Sequence, residues 1–283
     1  MDGAYLCAWG RQKKGVIRGI AICFLVYDNI NQPQAWKYFR ESSNGRCNFY
    51  IHRKNRDKIT DGFVNETVSW HHKTGWGTTD SIITTIKLLQ EAMKNKKNRR
   101  FILVSGSCSP LVDFNIVHHF VFSTHDSIIS QHSLSDSFIK SRYKLIGSII
   151  PYNTLKKCEA QGVILNKKDA QLLIDTIDVY LPAFKLSKCI DETYYATVLF
   201  INKHKYKINN TMYVVRMSAQ VGSSKSKPYI FNKMNDARMI SILKTGAFFA
   251  RKFSSNQYDY FKCHQYAYYY SPLLTDTVAE KPS

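Results

Sequence analysis

Acidic residues are the first shortage. The 283-residue chain has 21 Asp and Glu against 40 Lys and Arg, for a formal net charge of +19. That imbalance points to an anionic partner: a nucleic acid, a phosphate-bearing small molecule or a membrane surface. A long apolar run is also missing. The best candidate, Gly19 to Tyr27, runs straight into Asp28 and falls short of the roughly twenty residues of a membrane helix. It reads instead as a strand buried on both faces, and no small-residue cleavage site marks it as a secretory signal. The seven cysteines include no Cys-x-x-Cys pair, which excludes a zinc ribbon or a thioredoxin-type motif and suits reduced thiols. His71-His72 and His118-His119 are adjacent pairs, not the i, i+4 spacing that shares a metal. Asp-x-Asp, the Gly-x-x-x-x-Gly-Lys phosphate loop and the Gly-x-Ser-x-Gly nucleophile elbow are all absent. What is present is 44% hydrophobic and 13% aromatic residues, enough to bury a core without disulfides or metals.

Short apolar runs alternate with amphipathic stretches. Ile20 to Tyr27 precedes the helix-like Gln34 to Phe39, then the strand-like Asn48 to His52, closed by a charged turn Arg53-Lys54-Asn55-Arg56. After Gly75-Trp76-Gly77, residues Thr78, Thr79 and Asp80 can cap a helix whose buried stripe is Ile82, Ile83, Ile86, Leu89 and Met93. The basic run Lys94 to Arg100 reads as that helix's solvated end, where cations suit the dipole. Phe101 to Ser105 ends abruptly in Gly106-Ser107-Cys108-Ser109-Pro110. That is the pattern of a buried strand whose C-terminal end opens into a ligand loop. The order of elements predicts an α/β sheet. Further on, Asn166 with Asp169 predicts a helix start, Asp191 predicts another as N-cap, and Tyr213 to Val215 reads as a strand.

Three stretches could carry chemistry. A carboxylate at Asp191 or Glu192, in a first helical turn, stays ionised and can act as a general base, or it is simply a cap. Arg251-Lys252, bracketed by Phe249 and Phe253, either face an anion in a cleft or alternate towards solvent. The loop Ser105 to Cys108 suits close approach by a ligand but equally makes any tight turn, and Cys108 reads as a buried structural thiol rather than a nucleophile.

Taken in order, these segments resemble the core-2/I-branching glycosyltransferase family, the β-1,6-N-acetylglucosaminyltransferases with their xylosyltransferase and plant relatives. Phe101 to Leu111 is similar to the family's FVLLSESCIPL stretch, and Trp76-Gly77 to its WG element. Gln161 to Lys167 is similar to QWFELNR, Ile190 to Thr197 to PDEHYFPTL, and Gly246 to Phe253 to GALFARKF. The matches are collinear from about Ile20 to Phe253.

The resemblance implies a GT-A-like nucleotide-sugar-binding fold, with a mixed central sheet flanked by helices. It implies one catalytic domain over residues 1–270, leaving 271–283 as a flexible tail. The implied reaction moves a sugar, N-acetylglucosamine or xylose, from a UDP-sugar to a hydroxyl of an acceptor glycan or glycoprotein, with inversion. Glu192 matches the general base, and Lys252, with Arg251 and Lys227, the cations on the diphosphate. Ser105, Ser107, His52, Trp76 and Gly77 are expected around the donor nucleotide and sugar, and Asp191, Gln161 and Arg216 around the acceptor. The family does without a divalent metal or other cofactor, which agrees with the missing Asp-x-Asp. Charge left on the departing diphosphate must then be met by Lys or Arg.

This chain departs from the pattern at Gly106 and Ser107, which replace an acidic or polar residue, and at Gly162, where relatives carry Trp. No nucleic-acid partner and no transmembrane segment are expected. The start of the chain close to its first strand suggests a soluble, cytoplasmic catalytic domain, unlike Golgi-anchored relatives. A glycan-binding relative without turnover and a basic nucleic-acid binder are the alternative readings.

Overall fold

The computed structural model describes residues 18–75, 77–135, 137, 143, 146, 149–185, 187–215, 229–231 and 236–254. Trp76, Arg216, Lys227 and the tail expected at 271–283 lie outside the described residues. The apolar runs become the strands. A six-stranded sheet has the order β2-β1-β3-β6-β5-β7, built from β1 (Gly19–Val26), β2 (Cys47–Arg53), β3 (Asn98–Ser105), β5 (Ser127–His132), β6 (Lys157–Asn166) and β7 (Tyr206–Ile208). β1 runs parallel to β2 and β3, whereas β6 is antiparallel to both β3 and β5. The sheet is therefore mixed. A second, three-stranded sheet orders β4 (Ser109–Pro110), β9 (Phe249–Arg251) and β8 (Tyr213–Val215) as β4-β9-β8.

Side chains of successive strand residues point to opposite faces, and here each face meets its own core. Ile20, Ile22, Phe24 and Val26 of β1 join Ile102 and Val104 of β3 in one core. Against them pack α1 (Pro33–Glu41), α3 (Phe114–Phe122), α7 (Asp236–Leu243) and the small sheet, through Trp36, Phe39, Phe114, Met239 and Phe249. Ala21 and Cys23, with Phe101 and Leu103, face the other core. That core is closed by α2 (Thr79–Lys94), α4 (Lys167–Asp175), α5 (Ile177–Phe184) and α6 (Tyr194–Ile201). Each large apolar side chain buried this way contributes about 1.5–3 kcal/mol. In α2 the stripe holds at Ile82, Ile86 and Leu89, with Ile83 and Met93 only partly buried. Asn166 caps α4 as expected, its Oδ1 accepting the Asp169 N–H at 2.7 Å.

Two basic stretches differ from the sequence reading. Arg53 is not part of the charged turn but is the last residue of β2, with 0% exposure. Its five N–H donors all find acceptors: Nε on Thr67 Oγ1 (2.9 Å), Nη1 on the Asp28 carbonyl (2.6 Å) and Asp61 Oδ2 (2.8 Å), and Nη2 on Asp61 Oδ1 (2.9 Å) and the Phe63 carbonyl (3.2 Å). Asp61 also accepts the backbone N–H groups of Ile30 and Phe63. Burial alone would raise the Asp61 carboxyl, but bonds from Arg53, Ile30 and Phe63 outweigh it and hold the pKa below its ordinary value. The run Lys94 to Arg100 also divides: Lys94 ends α2 in solvent, while Arg100 sits inside β3, 3% exposed.

Breaking the Arg53–Asp61 pair strands a buried charge. Asp61→Ala is expected to cost about 3–5 kcal/mol of unfolding free energy, measured by urea denaturation.

Candidate active site

β1, β2 and β3 all end at the same edge of the sheet, and the loops that follow them build the site. Gly106, just past β3, donates its N–H to the Leu25 carbonyl (3.1 Å), and its own carbonyl accepts the Asn31 N–H (2.8 Å). A Cβ at Gly106 would stand 3.0 Å from both the Asn29 carbonyl oxygen and a Val26 methyl. The departure from the family pattern at this residue thus has a packing reason: the loops after β1 and β3 touch there.

Between the ends of β1 and β2 lies a cavity of about 270 Å³, lined in part by Tyr27, His52, Lys54, Gly77, Ser81 and Asp191. The structure therefore brings three of the expected residues, His52, Gly77 and Asp191, to one cavity. Tyr27, Lys54 and Ser81 were not singled out in the sequence; Tyr27 and Lys54 follow directly on strands, the position from which such residues can be found. His52 is a wall rather than a reactive group. Its Nε2 accepts the His72 N–H (3.2 Å), and its ring stacks on Trp70 and His71 at centroid distances of 5.3 and 5.5 Å. Burial, then the charges of His71, Arg56 and His72, push its pKa down to about 4.

Gly77 sets the carboxylates. With φ at +69° it takes a left-handed conformation that favours glycine. Its carbonyl accepts the Cys189 N–H at 3.0 Å, and a Cβ there would meet that same nitrogen at 3.3 Å. Cys189 is itself left-handed, φ 54°, and leads into a 3₁₀ turn over Ile190–Glu192. Asp191 is therefore not the N-cap expected from the sequence. Thr193 takes that position before α6, and the two carboxylates sit on the tight turn that Gly77 and Cys189 force. Burial pushes the Cys158 thiol up, and Glu159, Asp191 and Glu192 add to it, which puts three carboxylates within electrostatic reach of one sulfur.

The cations come from the small sheet. Ser109 pairs with Ala250 and Pro110 with Phe249, so β9 lies along the loop after β3. Phe253 donates its N–H to the Ser107 carbonyl (2.9 Å), Asn31 Nδ2 donates to the Phe253 carbonyl (2.7 Å) and Gln32 Nε2 to the Ser254 carbonyl (2.8 Å). Trp36 Nε1 donates to the Cys108 carbonyl (2.9 Å), and its ring lies at 17° to that of Phe249. Ser105 Oγ is 3.2 Å from Ser107 Oγ, and Cys108 is buried against Ser105 and the Tyr213 hydroxyl. Ser105, Ser107, Arg251 and Lys252 thus gather around one loop. Burial and the Arg251 charge pull the Lys252 pKa below its ordinary value, against a smaller opposing pull from Cys108.

Gln161 joins this second group. Between Ile129 and Gln131 of β5 the register of β6 moves from Val163 to Cys158, a bulge on β6. The bulge directs Gln161 to the Arg251 guanidinium, whose Nη1 donates to its Oε1. Gly162 sits inside it, and a Cβ there would come within 2.6 Å of the Ser130 Cβ and 2.8 Å of the Glu159 Cβ. Glycine at the position where relatives carry Trp is thus a requirement of this backbone.

A family model for Core-2/I-Branching enzyme matches residues 20–242. The chain belongs to the core-2/I-branching enzyme family, and its six-stranded mixed sheet flanked by helices is consistent with a GT-A-like fold. A curated relative, Glycosyltransferase BC10 of Oryza sativa subsp. japonica, is 27% identical over 173 residues, which is 59% of this chain. The match spans 42% of the rice protein's length. A solved structure, the crystal structure of A197 from STIV, gives a TM-score of 0.29 at 8% identity, covering 54% of this chain and 67% of that one. That likeness carries no argument.

Two predictions follow from the geometry. His52 is neutral in the folded chain down to about pH 4 and protonates near 6.5 when unfolded, so the unfolded state holds more protons in that window. Stability should fall on acidification from about 6.5 to 4, by at most about 1.4 kcal/mol per pH unit from this group, and His52→Gln should flatten that limb in pH-dependent denaturation. Gly162→Ala overpacks the bulge and should cost about 1–3 kcal/mol in thermal unfolding.

Proposed function

We propose that this chain is an inverting glycosyltransferase that moves a sugar from a UDP-sugar donor to a hydroxyl of an acceptor glycan or glycoprotein without a divalent metal. N-acetylglucosamine and xylose are the sugars the family resemblance favours. One observation carries the reading. At a single edge of the sheet, the carboxylate turn Ile190–Glu192 is clamped to Gly77 beside a cavity, and the Arg251–Lys252 pair lies along the Ser105–Ser107 loop. Family membership and the name of the rice relative point the same way.

In this reading the Glu192 carboxylate accepts the acceptor's hydroxyl proton as that oxygen attacks the anomeric carbon. The bond from the anomeric carbon to the β-phosphate oxygen breaks, its electron pair leaves with UDP, and the configuration inverts. Lys252 and Arg251 meet the charge that grows on the departing diphosphate, the task a metal ion performs in other nucleotide-sugar enzymes. The depressed Lys252 pKa suits this role: burial and a like charge leave the ammonium short of counter-charge until an anion arrives. Glu192, Lys252 and Arg251 are the residues on which the reading stands; Gln161 acts through Arg251.

Glu192→Gln should cut transfer by about 10²–10⁴-fold while UDP binding, measured by calorimetry, persists. Lys252→Met should lower kcat by about 10²–10³-fold. A thermal-shift panel of UDP-sugars with and without EDTA should show one donor class stabilising the protein equally in both. Full transfer by the Glu192 variant, or strict dependence on Mn²⁺, would overturn the reading.

A further inference from the structure

Another group of cations stands at the opposite end of the sheet. Arg18 immediately precedes β1, Arg99 and Arg100 lie near the start of β3, and Asn166 ends β6; with Phe122 from α3 and Thr124 they line a cavity of about 360 Å³. Ser105 stands five residues beyond Arg100, at the other end of β3, so the cavity stands roughly 17 Å along the strand from the candidate active site.

We infer that this cavity is a second anion site, built to take a phosphate or sulfate group carried by a small ligand. The inference does not depend on the glycosyl-transfer reading. Arg100 is the anchor. It is 3% exposed, and its Nη1 donates to the carbonyls of Asp126 (2.8 Å) and His125 (3.5 Å) while Nη2 donates to that of Thr124. Of the five N–H groups a guanidinium carries, two make no hydrogen bond among the described residues. The Arg18 and Arg100 guanidiniums both lie over the Phe122 ring, 5.8 and 5.6 Å from its centroid, so two like charges share one aromatic ring.

Among the described residues, no carboxylate forms an ion pair with Arg18, Arg99 or Arg100. Burial outweighs the distant attraction of Asp169 and Asp126 for the Arg100 charge, and its pKa falls below the ordinary value. The Asp169 carboxylate is committed to Ser127, Asn166 and His204 (2.5 Å), and Asp126 reaches Arg100 through its backbone carbonyl. A buried cation with no carboxylate in direct contact, and a like charge beside it, is costly. A tetrahedral oxyanion relieves that cost, because guanidinium forks bind its oxygens in pairs. A cavity of this size holds a sugar phosphate or a sulfated monosaccharide.

Isothermal titration at low ionic strength tests this with two probes, inorganic phosphate and N-acetylglucosamine 6-sulfate. Arg18 and Arg99 are exposed, so Arg18→Gln/Arg99→Gln removes charge from the rim and leaves Arg100 in place. We expect saturable binding by the intact protein, weakened at least tenfold in that double variant and about threefold in Arg99→Gln alone. Lys37→Gln/Lys58→Gln, which removes two exposed cations elsewhere, should change affinity less than twofold. Tighter binding of phosphate would name a free ion as the ligand; tighter binding of the sulfated sugar would name a glycan substituent. Unchanged affinity in the arginine variant, equal loss in both double variants, or no saturable binding of either probe would overturn the site.

Discussion

A guanidinium with no donor left over underlies the functional end of this molecule. Arg53 closes β2, and its bonds reach Asp28 after β1, Asp61 and Phe63 in the long loop after β2, and Thr67 beside Ile51. Asp61 in turn holds Ile30. One sealed ion pair thereby fixes the segments that carry Tyr27, Asn31 and Gln32. Asn31 and Gln32 hold the chain just past Lys252. Such a pair adds little net stability over an apolar substitute, but it demands a single arrangement of the loops that supply its acceptors.

The site is then assembled from two sides. On one, Gly77 and Cys189 lock a tight turn that presents Asp191 and Glu192. On the other, β9 and the loop after β3 present Arg251 and Lys252, with the β6 bulge supplying Gln161. The electrostatics reflect this division. Glu159, inside the bulge, influences both Cys158, beside the carboxylates, and Tyr213, which also senses Arg251.

How much of this can be read from residues alone depends on the range of the interaction. β1, α2 and β3 are legible because an apolar run or a 3.6-residue stripe is a local signal. Asn166 is legible because its partner Asp169 is three residues away. Arg53 is misread as part of a charged turn because the acceptors that let it be buried come from the chain after β1 and from the long loop after β2. Asp191 is misread as a cap because its geometry follows from Gly77, far away in sequence. Gly162 shows only as a missing Trp until the crowding by Ser130 and Glu159 is visible. The family motifs point to Glu192 and Lys252 by position alone; the 3₁₀ turn that holds the one and the β9 strand that leads into the other show only in the structure.

The two halves of the site also belong to different hydrophobic layers. Ile190, Tyr194 and Tyr195 anchor the acidic turn in the layer beneath α2, whereas Phe249, Ala250 and Phe253 anchor the cations in the layer beneath α1. The central sheet is thus a spacer, and the gap between the carboxylate turn and the cations is set by how each layer seats on it. Substitutions in one layer can therefore shift the carboxylate turn and substitutions in the other the cation strand, giving sequence variation two separate handles on the spacing between them.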